Sequence, residues 1–260
     1  MNLEATLTSF HTAVMLIVFV GMIRIISNGR RTMCAVFFSF AVASVLLSDF
    51  YWLAYDILRP GTRMPFAANE IGEWAMFLLL GASLTSLRSI NFHQARLEVL
   101  CTILFITAST ALWISWSGEW VDDIVTGIVY GYFLCCLVAL MKQEEMVPSY
   151  KWGMLGGVSL LLIAGQVVIF FVPDDMKRAV DLFCYGLMFL VELPFILRAM
   201  LTLKNTEMPA RKICRCYVAL AWSVSVMYMS TGGVYIVAMI ATTLCFPLTL
   251  MAMKKEVEAG

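Results

Sequence analysis

Apolar runs of about twenty residues recur along this chain with short polar loops between them, and that is the length an α-helix needs to cross the hydrocarbon of a bilayer. Lipid offers no water to a backbone N–H or C=O, so runs of this kind must close their hydrogen bonds internally as helices. The first runs from about Ser9 to Ile26, the second from Met33 to Tyr55, the third from Phe66 to Leu87, the fourth from Leu97 to Trp116 and the fifth from Val121 to Met141. A sixth, about Trp152 to Val172, stops at Pro173-Asp174-Asp175, and a seventh covers about Ala179 to Leu201. An eighth reaches about Met229, and after the turn Ser230-Thr231-Gly232-Gly233 a ninth runs from about Val234 to Met253. The expectation is an all-α, polytopic transmembrane bundle of about nine spans. Residues 1–260 form a single integral membrane domain with no soluble domain, and the alternative is eight spans, with the last two runs sharing one crossing and a re-entrant piece.

Composition points the same way. The chain is 61% hydrophobic and 14% charged with a mean hydropathy of +0.85, against roughly 45–50% apolar and 25% charged residues in soluble domains. Its formal net charge of zero leaves no basic patch to neutralise a phosphate backbone, which excludes a nucleic-acid partner. The first eight residues hold an acid and no base, and no small-residue cleavage site follows the first apolar run, so no cleavable signal peptide is expected.

Lysine and arginine gather at cytoplasmic helix ends, and their distribution orients the spans. With nine crossings, the inner side takes Arg24, Arg30, Arg31, Arg88, Arg96, Lys142, Lys151, Arg198, Lys204, Arg211, Lys212, Arg215, Lys254 and Lys255, leaving four of the 18 basic residues, Arg59, Arg63, Lys177 and Arg178, outside. This predicts a multi-pass protein of the cell membrane with its N-terminus out and its C-terminus in the cytoplasm. The longest basic loop, Lys204 to Arg215, is the expected docking surface should a cytosolic partner exist.

No catalytic or cofactor signature is present. The chain has no G-x-S-x-G elbow, no H-E-x-x-H and no phosphate-cradling loop, so an enzyme and a bound cofactor are not expected. Only two histidines occur, His11 and His93, which weighs against a histidine-rich zinc site but leaves a carboxylate-bound metal open. None of the eight cysteines falls in an outer loop, so they read as reduced thiols used as small apolar residues. Glycines at Gly127 and Gly131, and at Gly153 and Gly157, are spaced to let helices approach closely.

The informative polar stretch is Asp49 to Glu73, DFYWLAYDILRPGTRMPFAANEIGE. Its centre, Arg59-Pro60-Gly61-Thr62-Arg63-Met64-Pro65, is a turn, because two prolines and a glycine cannot continue a helix. Asp49, Trp52 and Asp56 share one face of the second helix, and Asn69, Glu70 and Glu73 form a polar stripe at the start of the third. Asp49 lies seven residues before Asp56, and Glu73 seven after Phe66. At about 1.5 Å per residue, both carboxylates sit ~10 Å below the outer boundary as near neighbours. Two acids so placed cannot both ionise cheaply, so a shared proton or a cation is expected. Arg59 and Arg63, higher up, are expected to pair with Asp56 or Glu70. Asp181 and Glu192 add further intramembrane acids, and Glu192 lies two residues before the kink-forming Pro194. No basic residue is expected at the depth of these acids.

An ionised acid inside a span costs about 2.5–3.5 kcal/mol even on the lenient insertion scale, and intramembrane ionisable groups by default mark function. The binding residues expected for a proton, cation or small solute are therefore Asp49, Asp56, Glu70, Glu73, Asp181 and Glu192, with Trp52, Asn69 and Pro194 in support. The function expected is transport or binding of a proton, a cation or a cationic solute through an outward-facing acidic cavity, with the lipid bilayer as the constant partner. The alternatives are a membrane sensor or receptor signalling through a cytosolic partner, and a structural membrane protein.

Overall fold

The computed structural model describes residues 3–28, 32–59, 68–146, 149–169, 171–173, 175–177, 179–180, 182–183, 209–230 and 232–259. Among them there is no strand. The long helices are α1 (Leu3–Ser27), α2 (Met33–Leu58), α3 (Ala68–Leu87), α4 (Arg96–Ser117), α5 (Trp120–Gln143), α6 (Ser149–Ile169), α7 (Pro209–Met229) and α8 (Gly232–Ala259). They follow eight of the nine expected runs, and most of the seventh run lies outside the described residues. Five helices contain stretches long and apolar enough to cross a membrane by length and composition: Thr6–Ser27, Met33–Tyr55, Arg96–Ser117, Trp120–Gln143 and Gly232–Lys255. These apolar helices suggest a membrane protein.

Local chemistry sets the helix ends. Thr32 caps α2, its side chain accepting from the Ala35 N–H at 3.4 Å. Gly118, at φ 73°, closes α4 in the left-handed conformation that glycine adopts without penalty, and its N–H bonds back to Ile114 O. Pro209 opens α7 at the first helical position, where its missing N–H costs nothing. The helix therefore begins inside the expected basic loop, and Arg211, Lys212 and Arg215 are helical.

Neighbours in sequence pack as pairs, α2 with α3, α4 with α5 and α7 with α8, and the pairs are joined through α3–α5, α1–α2, α1–α8 and α5–α7. Residues 212–221 of α7 are all buried, which covers every side of a helix for nearly three turns. Because lipid is as apolar as leucine, such a bundle holds together by close packing and interhelical hydrogen bonds. Tyr217 of α7 meets Ser83 of α3 at 2.9 Å, and Ser83 donates to Cys34 O of α2 at 3.0 Å. Tyr130 of α5 donates to Ala221 O of α7 at 2.6 Å. Around these bonds Phe38, Phe77, Phe133, Tyr130, Tyr217 and Phe246 make a connected set of ring contacts, the closest being Phe77–Tyr130 at 4.8 Å.

Charged residues close the end of the bundle where α3 and α5 finish and α7 begins. Glu144, only 4% exposed, pairs with Arg88 Nη1 at 2.6 Å and with Arg211 Nε at 3.5 Å. Lys142 pairs there with Glu98 of α4. Lys212 and Arg215 are themselves buried.

Candidate functional site

Asp49, Glu70 and Glu73 of the Asp49–Glu73 stretch lie towards the opposite end. Asp49 is nine residues from the end of α2 and points towards α1, where Thr12 Oγ1 lies 3.2 Å from its Oδ2 and His11 Nε2 lies 3.7 Å from the same oxygen. His11 is buried, and its Nδ1 contacts Thr243 Oγ1 of α8 at 2.7 Å. Asp49 thus stands where α1, α2 and α8 meet. The expectation that no basic side chain occupies this depth is corrected by His11.

Glu73 takes a different partner. Tyr228, near the end of α7, donates its hydroxyl proton to Glu73 Oε2 at 2.6 Å. The two carboxylates expected as near neighbours feel one another electrostatically, yet their hydrogen bonds run to separate helices. Gly72 sets how tightly α2 and α3 cross here. A Cβ on it would lie 2.7 Å from Ser48 Cβ and 2.8 Å from Ser44 O, so only glycine lets the backbones come this close.

Glu70 faces α5. Among the described residues its charged neighbours are acids, Asp122, Glu119 and Glu73. The Glu70 and Asp122 carboxyls are close enough to share one proton, and Glu70 Oε2 and Asp122 Oδ1 have no hydrogen-bond partner among the described residues. One carboxylate oxygen from each of Glu70, Glu119 and Asp122 lies within 4.8 Å of the others, a spacing compatible with a hard cation held by oxygen ligands. The neighbouring Trp74 donates its indole N–H to Thr126 Oγ1 at 2.8 Å, fixing α3 against α5.

Of the remaining expected site residues, Trp52 is partly buried on α2. Asp56 and Asn69 belong to α2 and α3, but their side chains lie outside the described residues, as do Arg63, Asp181, Glu192 and Pro194 altogether. The seven described cysteines are free thiols.

Sequence reasoning missed His11, Thr12, Thr243 and Tyr228. For His11 the signal was present: it lies eight residues into α1 and Asp49 nine residues from the end of α2, so each is about 12–14 Å along its helix from the same end of the bundle. No family model matches the chain, and comparison with curated proteins and with solved structures likewise finds no match.

Proposed function

We propose that this is a protein of the cell membrane that crosses it nine times, N-terminus out and C-terminus in the cytoplasm, and whose acidic intramembrane chamber binds a proton or a cation as a step in transport. The observation that carries the reading is the setting of Asp49 and Glu73. Both are partly buried at one end of the bundle, and among the described residues their partners are Thr12, His11 and Tyr228, with no lysine or arginine. Serine or asparagine would supply helix-to-helix hydrogen bonds without the cost of an intramembrane carboxylate. The acids are affordable where a proton or a cation comes and goes.

The Glu144–Arg211 pair supports the span count. It joins the end of α5 to the start of α7 at one end of the bundle, which favours an even number of crossings for the chain between them. Helix α6 supplies one, and residues 170–208 have the length for its return. With α1 to α5, α7 and α8 each crossing once, the total is nine.

The reading is tested by thermal melts of purified protein scanned from acid to neutral pH with and without sodium, potassium and calcium, in wild type, Asp49→Asn and Glu73→Gln. A ligand that binds the native state raises its stability in proportion to ln(1 + [L]/Kd). Wild type should show a proton- or cation-dependent melt that the variants lose. Identical responses in all three would leave these carboxylates as packing elements and end the transport reading.

A further inference from the structure

A second feature lies beside the acids but is built from different chemistry. Where α4, α5 and α7 come together, a cleft of about 230 Å³ is lined by Trp113, Trp116, Ser117, Asp123 and Tyr228. Three of its five lining residues are aromatic, one is an acid, and none is basic. Trp113 and Tyr228 meet with ring centroids 6.0 Å apart at 69°, so two π-surfaces stand nearly at right angles. The Tyr228 hydroxyl is committed to Glu73, and its ring, which also packs against Phe77 and Tyr130, forms part of the cleft wall.

The acid is held in place. Ser117 Oγ donates to Asp123 Oδ2 and accepts from the Glu119 N–H at 2.9 Å. The left-handed Gly118 turn brings these groups together across the α4–α5 connection. One Asp123 oxygen is thereby fixed, and the carboxylate lies at the cleft, with no hydrogen-bond partner for Oδ1 among the described residues. Asp122 adjoins it in sequence and Glu119 lies four residues before it, and both add negative potential.

The geometry points to a site for a small quaternary ammonium group, its methyls against Trp113, Trp116 and Tyr228 and its charge balanced by Asp123. A cation over aromatic faces is attracted by the ring quadrupoles, and aromatic cages are the usual receptors for methylated ammonium. A metal ion is a poorer fit, because hard cations require several oxygen ligands and this cleft offers one carboxylate and one hydroxyl. Its volume is below the roughly 300 Å³ at which sites for drug-sized ligands begin, so the occupant is small. The Trp residues have a competing role as interfacial anchors, but anchoring requires neither an oriented carboxylate nor crossed rings. The site shares Tyr228 with the Glu73 side of the proposed chamber but no residue with the Asp49–His11 contact, so Asp49→Asn tests the chamber without touching this site.

The same group occurs in a free solute such as choline and in the headgroup of phosphatidylcholine, and the test separates them. Radiolabelled choline is titrated onto the full-length protein in phosphatidylglycerol nanodiscs, with tetramethylammonium, ammonium and sodium as competitors. Saturable binding displaced by tetramethylammonium, and not by ammonium or sodium at equal concentration, is expected. Asp123→Asn and Trp116→Leu should each weaken it about tenfold, while Asp49→Asn leaves it unchanged. Should Asp123→Asn fail to fold, Trp116→Leu, at a residue 54% exposed, carries the comparison. Weaker apparent binding in phosphatidylcholine nanodiscs would assign the site to the lipid headgroup, and equal binding in both lipids to the free solute. Absence of saturable choline binding in phosphatidylglycerol, or binding that Trp116→Leu leaves intact, overturns the inference. Choline binding in a protein whose melts ignore pH and metal cations would uphold this site and reject the chamber.

Discussion

Tyr228 donates its phenolic proton to Glu73 at 2.6 Å, tying the last turn of α7 to the second turn of α3. This bond fixes the depth of Glu73 and turns the tyrosine ring towards the cleft. Hydrogen bonds between membrane helices are worth about 0.6 kcal/mol on average and up to ~1.7, and a carboxyl acceptor at 2.6 Å belongs in the upper part of that range. A double-mutant cycle of Tyr228→Phe and Glu73→Gln, read by unfolding in mild detergent, should give a coupling of about 1–1.7 kcal/mol. Additive effects would show that the bond contributes nothing to stability.

The opposite end depends on Glu144. Its carboxylate is 4% exposed, whereas the side chains of Arg88 and Arg211 are 46% and 41% exposed, so the cost of breaking the pair falls below the ~3–5 kcal/mol of a fully buried one. Glu144→Gln should destabilise by about 1–3 kcal/mol, because it sets a neutral amide in place of the buried carboxylate that two arginines face. The loss should shrink in high salt, which screens the exposed arginines. Calorimetry of the variant at low and high ionic strength checks both the size and the trend, and a neutral effect would refute the role.

The same pair gives a test of topology. Single cysteines placed at Glu145 and at Asn205 flank the segment that, on the even-crossing argument, leaves one side of the membrane and returns to it. Both should react with an impermeant maleimide from the cytoplasmic side only, as should one at the C-terminus. Labelling of Asn205→Cys or of the C-terminus from outside would break the nine-span arrangement.

Close approach by glycine was legible in the sequence for one pair and not for the other. A Cβ at Gly127 would collide with Thr110 Oγ1, whereas one at Gly153 meets nothing within 4 Å. Gly127→Ala should therefore cost about 1–3 kcal/mol by overpacking and be relieved by Thr110→Ala. Gly153→Ala should be neutral or slightly stabilising, since alanine is the better helix former. Equal effects at the two positions would show that α4 and α5 are not closely packed at Gly127.

The helices were readable because apolar length is a strong and local signal: α2, α4 and α5 begin and end within a few residues of the expected runs. What the sequence hid is which helix is central. Helix α7 is absent from the five apolar stretches, since it carries lysine, arginines, serines and tyrosines, yet it is the most enclosed helix described. Its polar groups are spent on other helices, Tyr217 on Ser83, Ser225 on Tyr130 and Tyr228 on Glu73. Average apolarity cannot tell a helix that faces water from one that hydrogen-bonds its neighbours. The acids show the same limit, because depth along a helix was calculable, but the partner depended on which helices adjoin.

The contact between His11 and Asp49 yields the last prediction. Thr243 places its single hydroxyl proton on the Met239 carbonyl at 2.7 Å, so its oxygen is the acceptor for His11 Nδ1–H, 2.7 Å away. This assigns the tautomer by the hydrogen bond that the other nitrogen makes. In the neutral ring Nε2 then carries a lone pair, and it is Nε2 that lies 3.7 Å from Asp49 Oδ2. A lone pair facing an ionised carboxylate is unfavourable in a poorly solvated site, and one proton held by either group removes the conflict. Thr12 does not supply it consistently, because its hydroxyl has one proton and two acceptors in reach, Asp49 Oδ2 and Thr8 O. Asp49→Asn replaces that proton with an amide N–H that can donate to Nε2, so the variant should fold normally and lose the wild-type dependence of the melt on pH. His11→Gln should lose it too, and the double variant should lose no more than either alone, as expected of groups sharing one site. Infrared difference spectra of the carboxyl stretch, recorded across the same pH range, should show a band that disappears in Asp49→Asn. If that band and the pH response of the melt both survive in Asp49→Asn, the pair holds no proton and His11 is a packing residue.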